Sequence, residues 1–353
     1  MWILENVISR PLSIHPQMDA AKREVLERQG YKVVGGHSGV KLCHWTKNSL
    51  TGGAGCYKET FYGIKSHRCL QMTPTVDSCN LGCLFCWRTQ EWGSDSLIES
   101  DDPGFVVEGS IEAQRKLISG YGGNPDVPRE RFREAWQPNQ VAISLTGEPT
   151  LYRRLGEMID EFKRRGMTTF LVTNGTTPAV LRRMAAENRL PTQLYVTVAA
   201  PNAEVYRKLM APKSDHEWEK LRETLALLPG LETRTVIRHT LVEGWNLGWE
   251  DEYAALDALA GPMFIECKGY SFVGESRLRL RVENMPEHAV IREFASRLAE
   301  RLGYGIAAER EDSRVVLLTR DGRLHPIESG LGTPGEPLYR RSGDAAATSR
   351  GPP

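Results

Sequence analysis

The sequence lacks any run of about twenty apolar residues, the length that a membrane-spanning helix requires. It also lacks a hydrophobic segment at its start of the kind that directs secretion. These absences exclude an integral membrane protein, and they predict a cytoplasmic location with no membrane partner.

An excess of charge of one sign is also lacking, since 45 lysines and arginines balance 45 aspartates and glutamates. Such a chain has no overall field to attract nucleic acid. The balance does not hold locally, however, because residues 41–91 hold six basic and three acidic side chains, a net charge of +3. A polyanion is therefore expected to be drawn to this stretch.

Cysteine is almost absent outside the same stretch. The exception is Cys267, which ends an apolar run and is predicted to be a small buried hydrophobe. Three other cysteines follow the spacing C-x3-C-x2-C and offer three thiolates without an obvious fourth ligand, which suits an iron–sulfur cluster with one open iron. They are Cys79, Cys83 and Cys86. A second set of three recurs every thirteen residues, as Cys43, Cys56 and Cys69.

Two other interpretations of the cysteines stay open. Neither set contains the paired C-x2-C halves of a structural zinc site, but His44 or His67 could complete a tetrahedral zinc centre. Disulfides are less favoured because cytosolic thiols are kept reduced. Iron–sulfur chemistry is the preferred interpretation.

Six short apolar or β-branched runs alternate with helical patterns along the chain. This rhythm predicts an α/β fold whose parallel strands curl into an incomplete (βα)6 barrel. The strands are predicted at 70–76, 140–145, 168–173, 193–199, 235–241 and 264–272, and the helices at 19–29, 110–120, 151–165, 178–187, 215–228 and 250–259.

Polar or glycine-rich signals follow the first three predicted strands. These are the C-x3-C-x2-C loop, residues 146–150 and residues 174–176. Because functional sites of βα barrels lie at the C-terminal ends of their strands, the three signals predict one shared site.

A C-x3-C-x2-C loop after the first barrel strand, with Phe85 before the last cysteine, resembles the radical S-adenosylmethionine (SAM) superfamily. The resemblance implies a [4Fe–4S] cluster that binds SAM and cleaves it to a 5′-deoxyadenosyl radical. It implies that Glu148 accepts a hydrogen bond from the SAM amino group. The other residues implied in SAM binding are Phe85, Thr146, Gly147, Pro149 and Asn174.

A sharper resemblance is to the archaeal-type tRNA 4-demethylwyosine synthases, carried by residues 40–47, 56–58, 61–64, 66–74, 85–88, 171–176, 266–270 and 273–277. It implies two [4Fe–4S] clusters and a reaction that joins N1-methylguanosine, beside the anticodon of tRNA-Phe, to two carbons of pyruvate. It further implies a ferredoxin or flavodoxin type electron donor, and a monomer is expected.

The resemblance also implies roles for individual residues. The cluster of Cys43, Cys56 and Cys69 would chelate pyruvate, and Lys58 would form a Schiff base with its ketone. That amine must be deprotonated, and an iron site or Arg68 would lower its pKa; the alternative for Lys58 is a solvated surface lysine. One departure is Ala199, where the family has an aspartate whose role is lost here or taken by Asn202.

The resemblance suggests four segments along the chain. An N-terminal extension with second-cluster ligands covers 1–68, the radical SAM barrel 69–300, and a C-terminal α/β extension 301–339. The small and polar tail 340–353 is predicted to be disordered. Residues 129–133 and 277–281 are candidate phosphate contacts, although the second run alternates like a solvated strand edge.

Two alternative functions differ in class from a pyruvate-condensing synthase. One is another radical SAM enzyme whose extra cluster only relays electrons, in which case Cys267 or His67 would supply a fourth ligand. The other is a non-catalytic RNA-binding protein stabilised by zinc.

Overall fold

A computed structural model describes residues 18–90, 98 and 101–327. Its single sheet contains six parallel strands in chain order, each overlapping a predicted run, so the predicted parallel sheet is confirmed. The strands of the described residues are β1 (Lys32–Val34), β2 (Ser38–Val40), β3 (Cys69–Thr73), β4 (Gln140–Ile143), β5 (Thr168–Thr173), β6 (Gln193–Thr197), β7 (Arg234–Leu241), β8 (Phe264–Gly269), β9 (Gly305–Arg310) and β10 (Val315–Thr319).

Helices connect the parallel strands and cover the outer face of the sheet. All six predicted helices are confirmed, whereas α2, α3, α5, α8 and α11 were not predicted. Nothing among the described helices is both long and apolar enough to cross a bilayer. The helices are α1 (Ala20–Arg28), α2 (His44–Leu50), α3 (Tyr57–Tyr62), α4 (Pro103–Ile118), α5 (Arg129–Ala135), α6 (Leu155–Arg164), α7 (Pro178–Ala186), α8 (Ala203–Met210), α9 (Glu217–Leu227), α10 (Glu250–Ala260) and α11 (His288–Leu302).

The sheet is mixed at both edges and does not close. Its order is β1-β2-β3-β4-β5-β6-β7-β8-β10-β9, with β1 and β2 antiparallel on one side and β10 and β9 antiparallel on the other. The incomplete barrel is therefore confirmed, and strands from both predicted extensions join its sheet. The segment boundaries themselves stay a prediction, and the tail 340–353 lies outside the described residues.

Alternation along the strands divides the apolar side chains between two cores. Leu171 and Leu194 belong to the large core between sheet and helices, whereas Phe170 and Tyr195 belong to a smaller core inside the barrel. Tyr62 of α3 packs edge-on against Tyr195 and against the ring that begins β8. Since a buried aromatic ring contributes roughly 1.5–3 kcal/mol, α3 is held firmly inside the N-terminal end of the barrel.

A buried ion pair ties β7 to α10. His239 is fully buried; its Nδ1 lies 2.8 Å from the Val198 carbonyl oxygen and its Nε2 lies 2.9 Å from Asp257 Oδ2. Burial alone would lower the pKa of His239, but Asp257 raises it above the ordinary value. The imidazolium is therefore the form that this pair stabilises.

The His239 pair predicts a pH-dependent stability. Its contribution should be complete below the ordinary histidine pKa of about 6.5 and should decline as pH rises through the raised native pKa. We expect the urea midpoint of the anaerobic protein to fall over that range, and Asp257→Asn to remove this slope. Loss of one partner of a buried pair should cost about 3–5 kcal/mol. An unchanged slope in Asp257→Asn would contradict the assignment.

Candidate active site

The two cysteine sets lie at opposite ends of β3. Cys69 is the first residue of this strand and faces Gln140 at the start of β4, whereas the loop with Cys79 follows the other end. Four residue rises of about 3.3 Å give roughly 13 Å of strand between the two ends. The two sets are therefore well separated along the barrel.

The set of Cys43, Cys56 and Cys69 is organised by two short helices. Cys43 and Cys56 stand at the N-termini of α2 and α3 with nearly the same backbone angles, φ −65° and −64°. Ser66 Oγ accepts a hydrogen bond from the Cys56 amide at 2.8 Å and donates one to Glu59 Oε2 at 2.6 Å. Burial raises the pKa of Cys56 to about 11 and of Cys69 to about 12, and Cys43 adds to both shifts. These shifts mark thiols that lie near one another and that a soft cation would keep ionised.

The loop that contains Cys79, Cys83 and Cys86 is held by hydrogen bonds from Arg279, which lies outside it. Burial raises the pKa of Cys79 to about 12, and the mutual repulsion of the thiolates adds to the shift. Arg279 donates to the carbonyl oxygen of Leu84 at 3.2 Å and to that of Cys86. This cation partly offsets the burial of Cys86. Burial raises the pKa of Cys83, and Cys79 and Cys86 raise it further, so the three half-buried thiols influence one another, which fits the ligands of an iron–sulfur cluster.

Two candidate fourth ligands are engaged elsewhere. His67 Nε2 lies 2.6 Å from Glu134 Oε2, and Cys267 is buried in the core between sheet and helices. Neither residue is placed as a fourth ligand, and the predicted burial of Cys267 is confirmed.

The segment 146–149 packs directly on the start of the second cysteine loop. The carbonyl of Thr146 accepts a hydrogen bond from Thr73 Oγ1 at 2.6 Å, and the Glu148 amide donates to the Ser78 carbonyl at 2.8 Å. Gly147 has φ +68°, and a Cβ there would lie 1.8 Å from the Thr75 carbonyl oxygen. Only glycine allows this close approach.

Replacement of Gly147 should therefore abolish cleavage of SAM. Gly147→Ala combines an unfavourable positive φ with a clash against backbone, so the loop before Cys79 must shift. Gly166→Ala is the matched control, because Gly166 has φ +71° with open space around it. We expect the control to lose about 1 kcal/mol of stability and to retain deoxyadenosine formation. Equal activity of the two variants would contradict the packing argument.

The carboxylate of Glu148 is almost fully buried and accepts four hydrogen bonds from the protein. The donors are Thr150 Oγ1 at 2.6 Å, the Thr150 amide at 3.1 Å, Thr173 Oγ1 at 2.7 Å and the Asn174 amide at 2.7 Å. Burial raises the pKa of Glu148, and these donors limit the rise. The side chain thus joins the ends of β4 and β5. Because a carboxylate has about four lone-pair sites, the four donors leave it little hydrogen-bonding capacity for SAM.

Asn174 and Phe85 are likewise engaged with the protein. Asn174 Nδ2 donates to Asn80 Oδ1 at 2.8 Å, and its Oδ1 accepts from Thr176. Phe85 packs in a cluster that includes Tyr270. Pro149 begins a buried 3-10 helix. Direct contact of these residues with SAM stays a prediction.

Lys58 lies inside the barrel. It is 9% exposed, and its Nζ lies 4.4 Å from the ring centre of Tyr195 and 5.0 Å from that of Phe170. Burial lowers the pKa of Lys58, and Arg238 lowers it further, while Glu266 opposes the shift. The alternative of a solvated surface lysine is wrong, and the amine is set up for deprotonation.

A buried carboxylate organises the wall beside Lys58. Glu266 accepts hydrogen bonds from Tyr62 Oη at 2.7 Å, from Tyr57 Oη at 3.0 Å and from Arg238 Nη2 at 2.8 Å. Burial alone would raise the pKa of Glu266, but Arg238 and Lys58 hold it below the ordinary value. Lys58 therefore has a fixed anion, Glu266, and a fixed cation, Arg238, in its electrostatic surroundings.

This network of buried polar side chains was not predicted from the sequence. The expectation that Arg68 lowers the pKa of Lys58 is wrong, because Arg68 donates to the Gln137 carbonyl at the surface and Arg238 supplies the charge. A signal was present: Arg238 and Glu266 are charged residues in strands of a parallel sheet, which are normally apolar throughout.

Comparison with known proteins agrees with this geometry. The profile of the Radical SAM superfamily matches residues 73–256, and the profile described as Wyosine base formation matches residues 259–320. An S-adenosyl-L-methionine-dependent tRNA 4-demethylwyosine synthase of Pyrococcus horikoshii is 52% identical over 326 residues, which span 90% of this chain and 95% of that protein.

The chain belongs to the tRNA 4-demethylwyosine synthase family of radical SAM enzymes. The human member, called TYW1, is 38% identical over 84% of this chain and 41% of its own length. A solved structure described as TYW1 with a lysine-pyruvate adduct bound superposes with a TM-score of 0.77, at 37% identity over 88% of this chain and 98% of that one. A crystal structure of archaeal TYW1 gives 0.71 at 34% identity, over 87% of this chain and 98% of that one.

The departure of this synthase at Ala199 has a structural setting. Ala199 is buried, and its carbonyl oxygen accepts a hydrogen bond from Asn246 Nδ2 at 2.8 Å. Asn202 begins α8, where its side-chain oxygen accepts from the Val205 amide at 3.1 Å. That oxygen is therefore used for helix capping, which disfavours Asn202 as a substitute for the missing aspartate.

Proposed function

We propose that this chain condenses N1-methylguanosine of tRNA-Phe with two carbons of pyruvate to form 4-demethylwyosine. The observation that carries the proposal is the position of Lys58, buried in the barrel that separates the two cysteine sets. The structure of a relative with a lysine-pyruvate adduct supports the assignment, because Lys58 is a buried lysine with a lowered pKa.

The chain's own residues account for binding and orientation. Cys79, Cys83 and Cys86 would hold the cluster of SAM cleavage, and Cys43, Cys56 and Cys69 a second one. When bound, the first cluster would supply hydrogen abstraction from the N-methyl group, and the second would supply an open iron that pyruvate can bind. Lys58 Nζ attacks the pyruvate ketone carbon, and the ketone oxygen leaves as water.

The environment of Lys58 supports this step. The rings of Tyr195 and Phe170 exclude water from the amine, and Arg238 disfavours its protonation. Glu266 balances the charge of Arg238, so the buried cation is not left unpaired. An electron-relay role for the second set is less well supported, because neither Cys267 nor His67 is placed to complete it.

The test is an anaerobic assay of the reconstituted protein with SAM, dithionite, pyruvate and tRNA-Phe that carries N1-methylguanosine. The nucleosides of the digested tRNA are then identified by mass spectrometry. We expect a tricyclic nucleoside heavier by two pyruvate carbons. Deoxyadenosine without a modified nucleoside would reject this substrate assignment. The same protein can be tested for a ferredoxin or flavodoxin type donor in place of dithionite, and its predicted monomeric state by light scattering.

A further inference from the structure

The loop that follows β8 projects an apolar side chain beside the second cysteine loop. Leu278 is 82% exposed, and Val273 and Val282 are 44% and 50% exposed. A single exposed leucine is common on protein surfaces, but a projecting one flanked by two more apolar side chains marks an interaction surface. We define this surface as the rim, residues 273–282.

The rim is held rigidly against the cysteine loop. Arg279 donates to the carbonyls of Leu84 and Cys86, and the Glu275 amide donates to the Trp87 carbonyl at 3.1 Å. Gly274 has φ +59°, and a Cβ there would lie 2.3 Å from the same carbonyl oxygen. Leu278 therefore projects from a fixed support next to the proposed SAM centre.

The charges of the rim favour a polyanionic partner. None of Arg277, Arg279 and Arg281 forms an ion pair with a described residue; Arg277 donates to the Phe272 carbonyl at 3.3 Å, and Arg277 and Arg281 are exposed. Of the two acids nearby, Glu275 accepts a hydrogen bond from Thr89 and Glu283 is exposed. The rim thus carries an exposed arginine before and after Leu278 in the chain, which suits contacts to phosphates that flank a base step.

The alternative of a solvated strand edge at residues 277–281 is wrong. Residues Gly274–Leu278 form a 3-10 helix, and Arg279 faces the cysteine loop. Only Arg277 and Arg281 of this run remain available as phosphate contacts.

We propose that Leu278 is a wedge that enters the RNA stack where the target guanine leaves it. This inference rests on the proposed function, in which a base beside the anticodon must reach a buried centre at the C-terminal ends of the strands. Extruding a base is energetically unfavourable because stacking is lost, and apolar wedges that fill the gap offset this loss. Arg277 and Arg281 bind the flanking phosphates.

The test uses reconstituted holoenzyme and tRNA that carries 2-aminopurine next to the target guanine. With unaltered enzyme, 2-aminopurine fluorescence should rise on binding because the stack opens. Leu278→Ala should lose this rise and lower the rate of modification at saturating tRNA by at least about tenfold, equivalent to ~1.4 kcal/mol. Its tRNA affinity should change by less than about threefold, and Leu278→Met should restore the rate.

Matched variants separate the wedge from general effects. Leu259→Ala removes a leucine that is 40% exposed on α10 and should change nothing. Arg277→Gln with Arg281→Gln should weaken tRNA binding and reduce its salt dependence by about two counterions, unlike Arg222→Gln on α9. Deoxyadenosine formation without tRNA should be unaltered in every variant.

Three results would overturn the wedge. They are a normal rate and fluorescence rise in Leu278→Ala, a loss of tRNA affinity that accounts for the whole defect, and a defect seen only with a protein electron donor. The last would identify the rim as a donor-docking surface. Failure of the unaltered enzyme to modify tRNA would instead reject the proposed function, so the two failures are distinguishable.

Discussion

Replacing Cys43, Cys56 or Cys69 by alanine should abolish formation of the tricyclic nucleoside while SAM is still cleaved. Replacing Cys79, Cys83 or Cys86 should abolish both reactions. The physical reason is that about 13 Å of β3 separates the two sets and that no described contact makes one depend on the other. The measurement is deoxyadenosine and modified nucleoside from the same anaerobic reaction.

Controls must show that each variant still folds. Cys267→Ala removes a buried thiol that binds no cluster in this proposal, so it should keep both reactions at some cost in stability. Iron content should fall by about half in variants of either set and stay unchanged in the control. Full turnover by Cys43→Ala, or deoxyadenosine from Cys83→Ala, would refute the division of roles.

Much of the barrel could be predicted because each parallel strand leaves a local signal. Residues 140–143 and 168–173 are short apolar runs bounded by polar segments, and both form strands within two residues of the prediction. The antiparallel edges could not be predicted in the same way. β1 and β2 have three residues each, and their pairing depends on the sheet that they join.

The cysteine sets were predictable from spacing, but the network of buried polar side chains around Lys58 was not. Tyr57 and Glu266 are 209 positions apart and meet only because α3 enters the barrel next to β8. The error over Arg68 has the same cause, since its nearness to Lys58 in sequence does not place it beside Lys58 in space. Strand register places Arg238 opposite Glu266, and no local pattern contains that information.

Glu148 illustrates a different limit. Its residue type and its position after β4 were read correctly from the sequence, and both predicted a polar group at the C-terminal edge. The number of donors that already satisfy its carboxylate depends on Thr150, Thr173 and Asn174 folding around it. Direct contact of Glu148 with SAM stays a prediction, and we expect Glu148→Gln to reduce SAM cleavage less than Gly147→Ala.

Lys58 gives the second large effect that we predict. Lys58→Arg keeps a positive charge but has no amine that can lose its proton and form an imine, so the rate of ring closure should fall by at least about 10³-fold. Cleavage of SAM should persist, because Lys58 lies against Tyr195 of the smaller core and not in the loop of Cys79.

The direct measurement is a covalent trap. Incubation with pyruvate and borohydride should add the mass of one pyruvate, less one water and plus two hydrogens, to the peptide that contains Lys58. Lys268 is the matched control, because burial lowers its pKa to about 8 and its Nζ donates to the Ser313 carbonyl at 2.6 Å. Lys268→Met should still be trapped at Lys58. An adduct on Lys268, or one that survives Lys58→Arg, would contradict the assignment of the Schiff base to Lys58.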